Sequence, residues 1–216
     1  LRAAVRDNKN INENSAFNYD LNKFVVIPSA SSNYKYTDQV YAAYSTYSNK
    51  LGENFSYQLG LRAESSQYKG TLISTGESFS NNYAIQFFPS VFVTQTLSPG
   101  QDLQLNYSRR INRPNFWQQI PYYDVSDLLN IRVGNPALKP EFTNSFELNY
   151  SKSLGGGHSL LTSAYFKQTN NLITGYQSRQ YNVPLPDGKL DSAMVVSYIN
   201  ANSSRSYGLE ITSKNP

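Results

Sequence analysis

A period of two dominates this chain. In "NFSYQLGLRAE", residues 54–64, Phe55, Tyr57, Leu59, Leu61 and Ala63 share one parity, and Asn54, Ser56, Gln58, Gly60, Arg62 and Glu64 share the other. Successive side chains of an extended backbone point to opposite faces, so this is a strand with one apolar and one polar side. The same grammar sets Leu103, Leu105 and Tyr107 against Gln104, Asn106, Ser108 and Arg110. It sets Phe142, Phe146, Leu148 and Tyr150 against Thr143, Ser145, Glu147 and Asn149, with Asn144 as an exception on the apolar side. Weaker runs lie near 1–8, 36–48, 83–97, 158–172 and 194–213, which brings the expected number of strands to eight. In the last run Val195 and Ile199 share a parity with Tyr207, Leu209 and Ile211, interrupted by Ser203 and Arg205. One long strand whose first half stands above the apolar layer explains this most simply. A bulge near 201–205 is the alternative, but it would shift the parity of one half.

The connections alternate in length. Those at 49–53, 98–101 and 152–157 are short and carry Gly, Asn or Pro, as tight turns require. Those near 13–34, 67–82, 112–140 and 179–193 are long. An up-and-down meander has this form when one side is structural and the other is free to elaborate. Membrane barrels are built so, with short periplasmic turns and long outer loops. No stretch approaches the roughly 18 consecutive apolar residues of a membrane helix. Mean hydropathy is −0.53, which excludes a helical membrane protein but not a barrel, whose alternating strands average out as polar.

Aromatic placement points the same way. Tyr and Phe number 18 and 11, against one Trp and one Met. With short turns on the periplasmic side, Phe55, Tyr57 and Tyr150 stand at that end. Tyr107 stands near the outer end and Tyr41 in the outer half. Amphipathic rings favour membrane interfaces, although Tyr is also simply a good strand residue. On this reading Leu59, Leu61, Leu103, Leu105, Phe146 and Leu148 face lipid, while Arg62, Glu64, Arg110, Glu147 and Glu210 face the lumen. Arg109 and Arg205 have the lipid-side parity and are expected at or above the headgroups.

The stretch "RRINRPNFWQQIPYYDVSDLLNIRVGNPALKPE" is bracketed by Pro114 and Pro140. Proline lacks the N–H that a ladder needs and sits at strand ends. Between them lie the only Trp, Trp117, with Tyr122, Tyr123, Asp124 and Arg132. These five are the candidate solute contacts. The rival reading is that the aromatics pack the loop on itself, since a long ordered loop needs its own small core.

Several segments in order carry a family resemblance: "VYAAYSTYSNKLGENFSYQLGLRAESSQY", "YSRRINRPNFWQQIPYYD", "RVGNPALKPEFTNSFELNYSKS", "AYFKQTNNLI" and "YINANSSRSYGLEI". Together they resemble the outer-membrane β-barrel region of TonB-dependent receptors, over about residues 34–213. The resemblance implies an antiparallel transmembrane barrel segment, about eight strands of a larger barrel, in the outer membrane of a Gram-negative bacterium. It implies import of a scarce or bulky solute, such as a metal chelate, glycan or peptide. The implied partners are outer-membrane lipid, that solute, and the TonB complex through an N-terminal part not present here; a surface lipoprotein is a further candidate. Arg109, Arg110, Arg113 and Pro114, then Gly134, Asn135, Pro136, Leu138 and Pro140, then Asn200, Gly208, Leu209 and Glu210 match family motifs. They are read as barrel framework. The chain is expected to be a fragment forming one partial barrel domain over 1–216, with no plug.

Little else in the sequence carries chemistry. There is no Cys and one His, His158, in a Gly-rich turn. A turn is a poor place for a catalytic triad, so no enzyme activity is expected. Asp124 and Asp127 lack the spacing of a calcium loop. The net charge of +4 is spread along the chain, so no nucleic-acid partner is expected; no motif points to a cofactor or a metal, and none is expected. Two rivals remain open: a non-transporting outer-membrane barrel acting as anchor or adhesin, and a soluble secreted β-sandwich that binds glycans.

Overall fold

Alternating strands joined by tight turns pair with their sequence neighbours, and that is what the computed structural model contains. It describes residues 2–13, 15–26, 31–73, 76–185 and 189–215. Eight strands form one antiparallel sheet: β1 (Arg2–Asn12), β4 (Ser32–Leu51), β5 (Phe55–Leu72), β6 (Ser78–Ser98), β7 (Gln101–Asn112), β10 (Glu141–Gly155), β11 (His158–Asn170) and β14 (Ser203–Lys214). β2 (Ser15–Asn18) and β3 (Lys23–Val26) form a small hairpin in the first long connection. Pro99-Gly100 joins β6 to β7, with Gly100 at φ 75°, a left-handed conformation that favours glycine.

The register makes the two faces explicit. Tyr47, Leu59, Val91, Tyr107, Phe146, Phe166 and Tyr207 are successive cross-strand partners, one from each of seven strands. The adjacent row is Ser48, Gln58, Phe92, Asn106, Glu147, Tyr165 and Gly208. One face is thus apolar and aromatic across the whole sheet, and the other is mixed and polar. All six residues expected toward lipid fall on the first face. Arg62, Glu64, Arg110, Glu147 and Glu210 fall on the second.

Boundaries differ from the sequence expectation at two of the long connections, 67–82 and 179–193, the second being strand over 179–184 and 190–193. β5 and β6 run on to Leu72 and from Ser78, well into the span 67–82. They do so because Tyr68, Gly70 and Leu72 are buried on the inner face, which holds this part of the hairpin in the sheet. An extra residue in β6, where the register shifts between Glu64 and Ser66, also changes its parity. Tyr83 therefore pairs with Ser66 on the inner face, although it shares odd numbering with Phe87 on the apolar face.

The run at 194–213 is two strands. β12 (Ile173–Pro184) and β13 (Leu190–Asn200) pair with each other above β11 and β14. The register continues unbroken, from Asn170 opposite Ser203 to Ile173 opposite Asn200. Two residues on each arm leave the ladder there, Asn171 adopting a φ of 55°. The chain bends without changing parity, so the bulge alternative does not hold. The Asp187-Gly188 turn lies outside the described residues.

Candidate functional site

The outer ends of the wall carry one composite structure. After β7 the chain forms α1 (Phe116–Gln119), β8 (Tyr123–Asp124) and β9 (Ile131–Val133). β13 pairs parallel to β9, so the 113–140 loop and the 171–202 excursion share a sheet in the order β12-β13-β9-β8. Val125, Ile131, Val183 and Val195 are buried together at its centre, with Tyr123, Val133, Leu185 and Ala193 packed around them. Two connections that are far apart in sequence thus make one platform with its own core.

The platform is fastened to the wall by polar side chains. Asn200 Nδ2 donates to the carbonyls of Lys139 and Asn171, at 2.9 and 2.8 Å, and its Oδ1 accepts from Lys139 N at 2.8 Å. Asn135 Nδ2 donates to Tyr198 O at 2.9 Å. Gly134 N donates to Ile120 O, and a Cβ on Gly134 would lie 2.5 Å from that same oxygen. Only glycine lets the two backbones approach so closely. Gly134, Asn135 and Asn200 therefore hold the loops against each other.

Below the platform, α1 leans over the inner face of β4–β6. Asn115 caps it, accepting from Gln118 N at 3.0 Å, while the Gln118 side chain accepts from Asn115 N at 2.9 Å. This capping box satisfies otherwise open helix donors. Ile120 is buried with Tyr34 and Leu72, and Phe116, Phe79 and Tyr122 pack against them. Phe116 stacks on Tyr34, with ring centroids 4.1 Å apart. Gln119 is fully buried; its amide donates to Pro114 O at 2.9 Å and accepts from Asn81 Nδ2 at 2.6 Å.

A charged cluster lies deeper on the same face. Glu64 is buried and pairs with Arg113, and Arg62 approaches it at 3.5 Å. Arg113 Nε also donates to Ser66 Oγ at 3.2 Å. Burial depresses the Arg113 pKa, and the Arg62 charge adds to this, while Asp38 opposes it. A cavity of about 460 Å³ opens here, lined by Arg6, Asp38, Arg62, Glu64, Tyr68 and Arg113. The opposite flank is different: Glu147, Lys167 and Glu210 line a smaller cavity of about 300 Å³.

The five candidate contacts separate. Trp117 is 56% exposed, edge-on to Tyr34 and Phe116. Arg132 is exposed on β9. Tyr122 packs into the α1 core, where burial, with Asp124 adding to it, raises its pKa. Tyr123 packs on the platform core and donates to Gln180 Oε1 at 2.8 Å. Asp124 Oδ1 accepts from Ser126 N and Oγ, closing a turn. Trp117 and Arg132 thus present themselves outward, while the two tyrosines pack the loops.

Sequence reasoning missed Glu141. It is 9% exposed at the top of β10, its Oε2 accepting from Asn112 Nδ2 at 2.7 Å and its Oε1 from Ile173 N at 2.6 Å. One carboxylate thereby ties β7, β10 and the start of β12. Only its place just after Pro140 hinted at this. Arg109 is also more than a snorkelling cation: its guanidinium lies 4.9 Å from the Phe142 ring, which stacks on Phe88. These groups fill the gap above Ser90–Ser108, where Pro89, lacking an N–H, coincides with the end of the β6–β7 ladder.

Residues 2–216 match the family model described as the outer membrane protein beta-barrel family. The chain belongs to that family. It is an outer-membrane protein of Gram-negative type, and the soluble sandwich is set aside. The structure resembles the hemophore receptor HasR of Serratia marcescens, solved with its hemophore HasA and heme (TM-score 0.63, 14% identity, 85% of this chain and 35% of that one). It resembles the copper transporter OprC (TM-score 0.64, 14% identity, 97% and 31%). It also resembles a mutant ferric enterobactin receptor PfeA of Pseudomonas aeruginosa, in complex with enterobactin (TM-score 0.56, 18% identity, 97% and 38%). The chain spans about a third of these proteins' length, and the likeness is one of fold. No curated protein matches it in sequence. The fold found is a segment of the barrel wall that these receptors and this transporter share.

Proposed function

We propose that this chain is part of the wall and outer face of a TonB-dependent receptor that imports a scarce or bulky solute. The observation that carries this reading is the platform. Two outer connections co-fold into one ordered sheet with a buried core, and its neighbouring helix covers the inner face of the wall. A barrel that served only as an anchor would gain nothing from roofing its own lumen. A solute entering from outside meets Trp117 and Arg132 first, then the charged cavity around Asp38, Arg62 and Glu64. An exposed aromatic ring and guanidinium groups along one route suit an anionic or hydroxyl-rich solute. Energy would come from the TonB complex, engaged by a part of the protein outside this sequence. A surface lipoprotein would cover the same platform.

The test uses the full-length gene. A deletion strain should lose growth when one solute class (iron chelate, glycan or peptide) limits, and the intact gene should restore it. A version lacking 173–200 should insert a folded barrel yet fail to restore growth. Full rescue by that version would remove the platform from the uptake route. Loss of surface attachment without any uptake defect would favour the adhesin.

A further inference from the structure

The apolar face of the wall changes character at its outer end. Along β4 the residues of that face run Ala43, Tyr41, Gln39, Thr37, Lys35, and along β5 they run Ala63, Ser65, Gln67, Lys69. Along β1 they run Ala3, Val5, Asp7, Lys9. Lys9 is the direct cross-strand partner of Lys35, and Lys69 pairs with Thr37, one step diagonally from Lys35. All three lysines are exposed, while Tyr34, Tyr36, Tyr68 and Gly70 beside them are buried on the inner face. The lysines therefore point away from the lumen, to the outside of the barrel.

Their height is informative. Lys69 stands roughly a dozen residues above Tyr57, in the lower aromatic girdle; at about 3.4 Å per residue and about 45° of tilt this is roughly 29 Å. The apolar band of such barrels is about 25 Å tall, so the lysines emerge just above the hydrocarbon, on the outer leaflet side. Like charges placed directly opposite on neighbouring strands repel. Among the described residues none of the three is ion-paired; Asp7 shares their face but bridges none of them. Three ammonium groups therefore share one patch at headgroup level, and among the described residues Asp7, diagonal to Lys35 on the same face, offsets one of the three charges.

We propose that Lys9, Lys35 and Lys69 form a site on the outer rim for the phosphate-bearing headgroup of an outer-leaflet glycolipid. The phosphate oxygens accept from the ammonium groups, each lysine acting as a point charge. The acyl chains of the same lipid lie below, against Tyr41, Ala43 and Ala63. The site fixes one lipid at the outer edge of β1–β5, opposite the surface on which the loops rest. It does not depend on what solute the receptor carries.

The experiment measures lipid retention on the full-length protein. The protein is purified in mild detergent and titrated with bis-phosphorylated lipid A, its dephosphorylated form, or inorganic phosphate, and bound lipid is counted by native mass spectrometry. The variant K9Q/K35Q/K69Q should bind phosphorylated lipid A on the order of a hundredfold more weakly, from about fivefold per lysine. K9R/K35R/K69R should keep most of the binding. K50Q/K152Q/K214Q, which removes equal charge at the periplasmic end, should bind like the parent. Heat-modifiable mobility on gels checks that each barrel is folded. Unchanged binding by the outer-rim variant, equal loss in the periplasmic variant, or equal binding of dephosphorylated lipid would overturn the proposal. Competition by inorganic phosphate at similar concentration would show a free-anion site instead of a lipid site, and overturn it too.

Discussion

The wall and the platform are both β-sheet, yet they are held together by opposite means. The wall has few buried residues in its lower half. Leu59, Leu61, Leu105, Phe146 and Leu148 are all more than 40% exposed to solvent in the isolated chain. Its stability comes from long, continuous ladders of backbone hydrogen bonds and from lipid, which serves as the missing core. The platform stands above lipid and must supply its own interior. It does so with Val125, Ile131, Val183 and Val195, each no more than 2% exposed. The same element type is therefore governed by solvent outside the protein in one region and by packing inside it in the other.

This contrast yields a graded series of tests. Ile131→Ala, in the platform core, should cost about 2–5 kcal/mol locally. Hydrogen exchange should show 123–133 and 173–200 losing protection while the lower wall keeps its own. Loss of protection throughout would mean that the two regions are one cooperative unit. Leu59→Arg should cost about 2–4 kcal/mol if the residue faces the bilayer midplane. Reversible unfolding in lipid vesicles measures this, and Gln58→Arg, on the opposite face, should be nearly neutral. Equal costs would undo the facing. Asn200→Ala removes three hydrogen bonds at the junction and should cost about 1–3 kcal/mol. Its effect should appear as faster exchange at Lys139 and Ala201, with the wall unchanged. Asn115→Ala should cost about 1 kcal/mol and expose Ile120, without touching the Ile131 core.

The wall was legible because its code is local. Alternation at Phe55–Ala63, Leu103–Tyr107 and Phe146–Tyr150 needs no distant partner to be read. The reading failed where one residue broke the period. The register shift in β6 brings Tyr83 to the inner face, and no local signal marks it. The platform was not legible as a sheet. β8 has 2 residues and β9 has 3, too few to show any period, and β9 gains its place only by pairing with β13. Residues such as Trp117 and Tyr123 looked alike as loop aromatics. Their different fates depend on that pairing, which places Tyr123 over the platform core and leaves Trp117 outside it. The prolines did read correctly: Pro114 and Pro140 bracket the loop and are both buried where it leaves and rejoins the wall.

The central claim is that one face of the wall meets lipid and the other a lumen roofed by its own loops. This chain has no cysteine, so in a full-length protein with every cysteine outside it replaced by serine, single cysteines at 58 to 63 on β5 can each carry a nitroxide without background. Collision rates with oxygen, which partitions into lipid, and with a water-soluble nickel complex then report the surroundings of each position in reconstituted vesicles. The account predicts a period of two, with oxygen favoured at 59, 61 and 63 and disfavoured at 58, 60 and 62. A flat profile, or the same period with its phase reversed, would contradict it.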